Sequence, residues 1–209
     1  ISLEKINNFL KKFNQSYKKE ELNIVDYCFE KNPKKIKVGF VSADFRSHPV
    51  GYALINLIDH LKLQNLNLYA YYTFSFEDEL TRKFKKDFNS FCNISNLNDE
   101  QVVNKIRSDG INILIDLGGY TFNNRLSIFF HNPAPIQISW LGYLPTTGIK
   151  QMQYKIGDSY VYSTKYEKDL SEKILKLPNL WSDFSVKYGT DIKASYPSSD
   201  SNEIIFGCF

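Results

Sequence analysis

Asp44, Arg46 and His48 lie within five consecutive positions, and all three side chains can take part in acid–base or ionic chemistry. Imidazole exchanges protons near neutral pH, so His48 could act as an acid, a base or a hydrogen-bond donor to an anionic ligand. Arg46 could bind a phosphate or carboxylate group. The alternative is that His48 only caps a helix that begins at Pro49, and the residues by themselves leave both interpretations open.

A second group of candidates follows a buried apolar run that ends at Asp116. A carboxylate at the end of a buried strand is a frequent catalytic or ribose-binding group, although aspartate also begins turns there. Two glycines come next, and they could let a ligand approach the backbone closely or could form an ordinary tight turn. Tyr120 and Thr121 follow them, and residues 142–148 form another polar loop that contains glycine.

Alternating strands and helices would hold these residues in place. Residues 36–41 and 111–117 are almost continuously apolar, which predicts strands buried on both faces. Further strands are predicted at residues 66–74, 91–94, 136–141 and 154–157. Helices are predicted at residues 50–62, 77–89, 98–107 and 124–130. This alternation predicts an α/β doubly wound sheet, whose strands would bring residues 44–48, 116–121 and 142–148 to one edge.

The two ends of the chain differ from this alternating core. Residues 1–30 carry apolar side chains at helical spacing with lysines on the other side, which predicts helix. Residues 196–202 are polar and predict a linker, and residues 203–209 begin another strand. The first residue is isoleucine in place of methionine, so we expect a piece of a longer protein.

The composition argues against several classes of protein. The 26 basic and 23 acidic residues nearly balance, and the basic ones are scattered, which favours solvated surfaces over a nucleic-acid interface. The three cysteines lie far apart without a CxxC pair, which indicates neither a zinc site nor a disulfide framework and fits the cytoplasm. No apolar run approaches the ~20 residues of a membrane span. The sequence also lacks the GxGxxG, P-loop, GxSxG and HExxH patterns, which disfavours dehydrogenases, P-loop kinases, serine hydrolases and zinc proteases.

Several long blocks follow one another in a recognisable order. They are VGFVSADFRSHPVGY (residues 38–52), DGINILIDLGGYT (109–121), NPAPIQISWLGY (132–143), TTG (146–148) with residues 154–158 after it, YEKDLSEKILKLP (166–178) and IIFGCF (204–209). Together they resemble the catalytic region of the O-GlcNAc transferase family. That family includes the plant SPINDLY proteins and many bacterial glycosyltransferases with tetratricopeptide repeats. The resemblance covers residues 34–209.

The resemblance implies a Rossmann-like lobe of a two-lobed, metal-independent GT-B glycosyltransferase. Residues 1–33 would be a helical linker that ends a tetratricopeptide-repeat region, and residues 34–195 would be the amino-terminal catalytic lobe. Residues 196–209 would contain a linker and the first strand of a truncated second lobe. The family usually transfers N-acetylglucosamine from UDP-N-acetylglucosamine to Ser or Thr hydroxyls of proteins, with inversion at the anomeric carbon. The implied partners are a nucleotide sugar, a protein or peptide acceptor and the second lobe, with no cofactor.

The resemblance also implies roles for particular residues. His48 and Asp116 match positions at the family's active site, so we predict that they are catalytic, in acid–base or positioning work. Substrate-binding or cleft-lining positions carry over to a further set of residues, namely Asp44, Tyr120, Thr121, Gly142, Thr147 and Gly148. Most of the family's nucleotide-binding groups, including a lysine near the diphosphate, belong to the second lobe. This chain alone is therefore expected to be inactive.

Three alternatives stay open at this point. The same architecture could use another donor, because SPINDLY-type relatives use GDP-fucose and other relatives transfer glucose to asparagine. The protein could instead be a repeat-containing scaffold whose sugar site has decayed, although the intact Asp44, His48 and Asp116 argue modestly against decay. A generic nucleotide-binding module would bind nucleotide tightly with this chain alone.

Overall fold

The computed structural model describes residues 3–16, 23–24, 30 and 32–182 of the chain. The predicted linker at residues 196–202 and the predicted strand at residues 203–209 lie outside the described residues. So do Cys28, Cys208 and much of the second half of the predicted amino-terminal helix.

The described residues form one sheet of seven parallel strands. The strands are β1 (Ile36–Ser42), β2 (Leu66–Tyr72), β3 (Ser90–Asn93), β4 (Ile113–Asp116), β5 (Ile136–Ser139), β6 (Tyr154–Gly157) and β7 (Lys173–Lys176). Their order across the sheet is β3-β2-β1-β4-β5-β6-β7. The chain therefore builds outward from β1 in one direction and from β4 in the other, so the order reverses between these two central strands. A sheet of this kind is doubly wound.

Helices connect most of these strands. They are α1 (Leu3–Ser16), α2 (Pro49–Leu61), α3 (Glu79–Asp87), α4 (Asp99–Asp109), a short 3-10 helix (Leu126–His131) and α5 (Thr164–Glu167). Asp78 accepts a hydrogen bond from the Thr81 N–H (2.8 Å) and Asn98 accepts one from the Gln101 N–H (2.9 Å), so capping boxes begin α3 and α4. Gly110 ends α4 in the left-handed conformation.

Both faces of the sheet are covered, which explains the continuous apolar runs in the sequence. Phe40 and Val41 are neighbours in β1 and point to opposite faces, and each is only 1% exposed. Phe40 packs in the cluster under α2 and α3, together with Leu54 and Phe84. Val41 packs in the second cluster, which lies under α4 and the 3-10 helix.

The structure confirms the predicted fold class and corrects some element boundaries. Strand β4 begins at Ile113 and not at residue 111, and just before it the Asn112 side chain accepts a hydrogen bond from the Lys37 N–H (2.9 Å). The helix predicted at residues 124–130 is a 3-10 helix, and residues 23–24 are not helical. Two short elements, α5 and β7, were not predicted, because both are largely exposed and carry no strong apolar pattern.

No helix among the described residues has both the length and the apolar character needed to cross a bilayer.

Candidate active site at the switch point of the sheet

The loops that follow β1, β4 and β5 meet where the strand order reverses. The Leu117 N–H donates to the Val41 carbonyl (3.0 Å), and the Gly142 N–H donates to the Leu117 carbonyl (3.0 Å), so backbone hydrogen bonds continue beyond the strands. In open α/β sheets, ligands bind in the crevice at this point. The predicted meeting of the three loops is confirmed. We call the surface that they form the switch-point crevice: residues 44–48, 116–121 and 142–148.

Asp44 lies between the two cationic candidates of the first loop. Its Oδ1 is 3.1 Å from Arg46 Nη2, and its Oδ2 is 3.5 Å from His48 Nδ1. The Arg46 guanidinium also lies over the Phe74 ring, 5.8 Å from its centroid. Asp44 is 8% exposed, whereas the Arg46 and His48 side chains are about a third exposed. The structure therefore brings the three residues together, with the Arg46 and His48 side chains on the outer side of the carboxylate.

His48 caps α2, as the structural alternative expected. Its Nδ1 accepts a hydrogen bond from the Val50 N–H (3.3 Å), and Pro49 occupies the first helical position. A ring nitrogen that accepts carries no proton, so this bond places the proton of a neutral imidazole on Nε2. The ring therefore presents an N–H donor on its other edge. Capping and a functional role are compatible, because the cap uses Nδ1 and leaves Nε2 facing away from the helix.

The first loop is also tied to α3 through Asp78. The Ser47 N–H donates to Asp78 Oδ2 (2.6 Å), while Oδ1 of the same carboxylate caps α3. Burial alone would raise the pKa of Asp78, but the hydrogen bonds from Ser47 and Thr81 lower it to about 2. The folded-state pKa lies below the ordinary value, so this carboxylate stabilises the loop at neutral pH, and that stability is lost as the pH falls through about 4 towards 2.

Asp116 is almost completely buried, with 1% exposure, and its carboxylate shapes its own loop. Oδ2 accepts a hydrogen bond from the Gly119 N–H (2.8 Å) and Oδ1 accepts one from the Gly118 N–H (3.3 Å). Burial raises its pKa from the ordinary 3.8 to about 6, against these two bonds and the positive charge of Lys155. Ionising Asp116 therefore costs stability of the folded state as the pH rises from about 4 to 6. Its predicted catalytic role stays a prediction, and its visible role is to hold residues 118–119.

The remaining predicted residues hold the loops of the crevice through hydrogen bonds and close packing. Tyr120 Oη donates to the Thr147 carbonyl (2.7 Å), and the Thr147 side chain is fully buried on Glu172. Thr121 Oγ1 donates to the Gly118 carbonyl (2.8 Å). A Cβ on Gly142 would lie 2.3 Å from the Leu117 carbonyl oxygen, so only glycine fits there. Substrate contacts by these residues stay predictions.

Helix α1 contacts the same loops directly. Asn14 Nδ2 donates to the Thr147 carbonyl (2.9 Å), and Asn14 Oδ1 is 3.3 Å from the Tyr120 hydroxyl. Asn7 Nδ2 donates to the Asp169 carbonyl (2.7 Å). The predicted role of residues 1–33 as a link to upstream repeats stays a prediction, but α1 itself packs on the crevice loops. No sequence signal pointed to this contact, because it joins residues more than 100 positions apart.

Gly148 is where α1 and the third loop come closest, and it gives a testable prediction. Its φ is +67°, and a Cβ there would lie 2.7 Å from Asn14 Nδ2. Gly148→Ala should therefore destabilise the protein by about 1–2 kcal/mol from backbone strain alone, with a further loss from displacement of α1. Urea unfolding of the full-length protein would measure the change.

The double variant Asn14→Ala/Gly148→Ala separates the two causes. Because it removes the clash, it should be less destabilised than the sum of the two single variants. Simple addition of the two losses would contradict the close contact.

Sequence reasoning missed a buried charged group beside the crevice. Lys155 of β6 is 1% exposed and donates to Ser139 Oγ (2.9 Å), and Glu172 binds Thr146 and Thr147. The available signal was a lysine inside a strand whose neighbours are apolar or aromatic. The part of the chain that the structure describes contains no group of three His, Cys, Asp or Glu side chains that could hold a metal ion.

Comparisons with known proteins point to one family. The chain is 29% identical over 186 residues to a probable UDP-N-acetylglucosamine–peptide N-acetylglucosaminyltransferase of Arabidopsis thaliana, SEC, with 84% of this chain and 19% of SEC covered. It is 27% identical over 184 residues to the Arabidopsis SPINDLY protein, which carries the same enzyme name, with 86% and 20% covered. The chain thus spans about a fifth of the length of these relatives.

A solved structure and a family profile agree with these relatives. A lysine-to-methionine mutant of the O-GlcNAc transferase of Thermobaculum terrenum superimposes with a TM-score of 0.80 and 25% identity, covering 87% of this chain and 35% of the other. The match confirms the predicted resemblance and the predicted α/β catalytic lobe. The profile of Glycosyl transferase family 41 matches residues 1–186. The chain belongs to this glycosyltransferase family.

Proposed function

We propose that this chain is the amino-terminal lobe of a glycosyltransferase that moves N-acetylglucosamine from UDP-N-acetylglucosamine to Ser or Thr hydroxyls of proteins. The family and its relatives support a sugar transferase. The observation that carries the proposal is His48, which stands at the switch-point crevice with its ring held by the α2 cap and with Asp44 Oδ2 3.5 Å from Nδ1. That crevice is where an α/β sheet of this order binds ligands.

The proposed reaction is one direct displacement with inversion and without a metal. A bond forms between the acceptor oxygen and the anomeric carbon while the bond from that carbon to the diphosphate breaks. His48 Nε2–H donates to an oxygen of the bound substrates and so orients them. The acceptor hydroxyl gives its proton in the same step to an oxygen of the departing diphosphate, which is the base that the donor itself supplies. His48 can take that proton only if Nδ1 gives up the Val50 hydrogen bond, and Asp44 Oδ2, 3.5 Å away, would then face a protonated Nδ1.

Other parts of the crevice would support this chemistry. Arg46 is paired with Asp44 and about a third exposed, so its remaining N–H groups can donate to the phosphates of an anionic donor. Asp116 holds the amides of Gly118 and Gly119 in one orientation, and a preorganised loop needs less rearrangement when substrate binds. We propose that a second lobe completes the donor site, that no cofactor is needed, and that the protein works in the cytoplasm.

SEC and SPINDLY are almost equally similar to the chain, at 29% and 27% identity, so the donor is decided by experiment. GDP-fucose and UDP-glucose are therefore tested beside UDP-N-acetylglucosamine. Each donor would be incubated with the full-length protein and a Ser- and Thr-rich acceptor protein. Intact-protein mass spectrometry of the acceptor then reports which sugar is added.

We expect the acceptor to gain the mass of N-acetylhexosamine with UDP-N-acetylglucosamine. The gain should be lost with His48→Asn and kept with His60→Asn, because His60 lies on the exposed side of α2. A hexose or deoxyhexose mass would instead identify another donor. If folded protein adds no mass with any donor, the scaffold interpretation replaces the proposal. Tight nucleotide binding by residues 1–209 alone would favour a nucleotide-binding module.

A further inference from the structure

A row of polar side chains crosses the buried sheet next to the crevice. Asp116 of β4 pairs with Ser139 of β5, and Ser139 pairs with Lys155 of β6. Side chains at paired positions of neighbouring strands project to the same face. All three residues are 1% exposed. A carboxylate, a hydroxyl and an ammonium therefore stand side by side in the interior of the protein.

The ammonium of Lys155 is the positive charge of this row. Its Nζ donates to Ser139 Oγ (2.9 Å). Burial lowers the pKa of Lys155, whereas the negative charges of Glu172 and Asp116 raise it. A buried ammonium is costly unless carboxylates compensate it, and buried carboxylates are costly without a cation. Lys155 and the two carboxylates thus depend on one another.

Each of the two carboxylates holds one loop of the crevice. Asp116 accepts hydrogen bonds from the amides of Gly118 and Gly119. Glu172 Oε1 accepts from the Thr147 N–H (2.6 Å), and its Oε2 accepts from Thr146 Oγ1 (2.6 Å). A change in the charge or position of either carboxylate would therefore alter the hydrogen bonds of the loop that it holds.

We propose that Lys155 is a positioning residue for the crevice, whose buried ammonium is the shared counter-charge of Asp116 and Glu172 and so holds residues 118–119 and 146–147 in place. The ammonium touches neither loop, and it acts through the two carboxylates. For transfer activity the inference rests on the proposed function. For the order of the two loops it stands independently.

Removing the ammonium should make the loops sensitive to pH. Lys155 lowers the pKa of Asp116, which is already about 6, so Lys155→Met raises that value further. A protonated carboxyl accepts a weaker hydrogen bond than a carboxylate. Where Asp116 is protonated, these weaker bonds hold the loop, and as the pH rises its ionisation leaves a buried carboxylate without its counter-charge. The loop at residues 118–119 of the variant should therefore loosen further as the pH rises. Other ionisable groups near these carboxylates are Tyr120, Tyr143, Tyr162 and Asp158. Burial raises the pKa of each of these tyrosines above its ordinary value, so they stay neutral over this range.

Hydrogen exchange of the full-length protein measures this directly. Protection factors of peptides that contain residues 117–121 and 145–149 would be compared from pH 6 to 9, after correction for intrinsic exchange. In Lys155→Met we expect about tenfold lower protection at pH 7 in both peptides, with a further fall towards pH 9 in the peptide of residues 117–121. The matched control is Lys173→Met, on exposed β7, which should behave like the wild type. If Lys155→Met does not fold, Lys155→Gln, which keeps a polar contact to Ser139, is used instead.

The pH profile of sugar transfer is a second measurement, and it tests whether the loops affect activity. In Lys155→Met activity should fall relative to the wild type as the pH rises, whereas a lysine that only fills space would leave the pH profile unchanged. If the wild type transfers no sugar, the proposed function fails, and the exchange experiment still decides the role of Lys155. Protection that matches Lys173→Met at every pH, in both peptides, would overturn the proposal.

Discussion

Replacing His48 with asparagine should lower the rate of sugar transfer by about 10²–10⁴-fold and leave the stability of the protein unchanged. Asparagine is among the best residues at the start of a helix, and its Oδ1 can take the place of Nδ1 as acceptor for the Val50 N–H. It has no group that corresponds to Nε2. The variant thus keeps the cap and removes only the outward edge of the ring. Transfer rates under saturating donor, together with urea unfolding, measure the two effects separately.

His48→Ala and Asp44→Asn complete the test. Alanine removes the cap as well, so it should lower the free energy of unfolding by about 0.5–2 kcal/mol besides the loss of activity. Asp44→Asn should slow transfer less than His48→Asn does, because in the observed arrangement Nδ1 binds Val50 and not Asp44. A loss as large as that of His48→Asn would instead mean that Asp44 holds Nδ1–H and that Nε2 acts as the base. Full activity of His48→Asn would reduce His48 to a helix cap.

The sequence could predict the sheet because burial leaves a direct trace in residue type. Neighbours such as Phe40 and Val41 are apolar because one packs under α2 and α3 and the other under α4. The strands adjoining the switch point could be located for this reason. The carboxyl ends of parallel strands share one edge of the sheet, which placed the three loops together. Strand β7 lacks this trace, because its lysines and Leu175 face solvent at the edge of the sheet.

The side-chain contacts that support the crevice could not be predicted in the same way. The contact between Asn14 and Thr147, and the row from Asp116 to Lys155, depend on which strands become neighbours and in which register. A single sequence shows residue types but not these pairings. The sequence likewise left His48 as either a cap or a functional residue, and the structure shows the cap, in which Nδ1 accepts a hydrogen bond from the Val50 N–H.

Phe45→Ala should have the largest effect on stability, about 3–5 kcal/mol of unfolding free energy. Phe45 is fully buried although it lies in the loop between Asp44 and Arg46. Its ring packs edge-on against four aromatic rings at centroid distances of 5.4–5.9 Å, those of Tyr72, Phe84, Phe88 and Phe91. Alanine would leave a cavity among them that the surrounding strands and α3 cannot easily fill. Urea unfolding of the full-length protein measures the loss.

Phe122→Ala is the matched control, because Phe122 is 76% exposed on another loop of the same edge and should change the unfolding free energy by no more than about 0.5 kcal/mol. A loss below about 1 kcal/mol for Phe45→Ala would mean that the core does not anchor the first loop.

Phe45→Leu, a smaller change that keeps most of the buried volume, then tests whether the packing of this ring matters for sugar transfer. Because Phe45 sits between Asp44 and Arg46, a shifted ring moves the loop that carries these two residues and His48. Transfer by folded Phe45→Leu should therefore fall, and a fall at unchanged stability would show that the aromatic cluster positions the crevice as well as stabilising the fold.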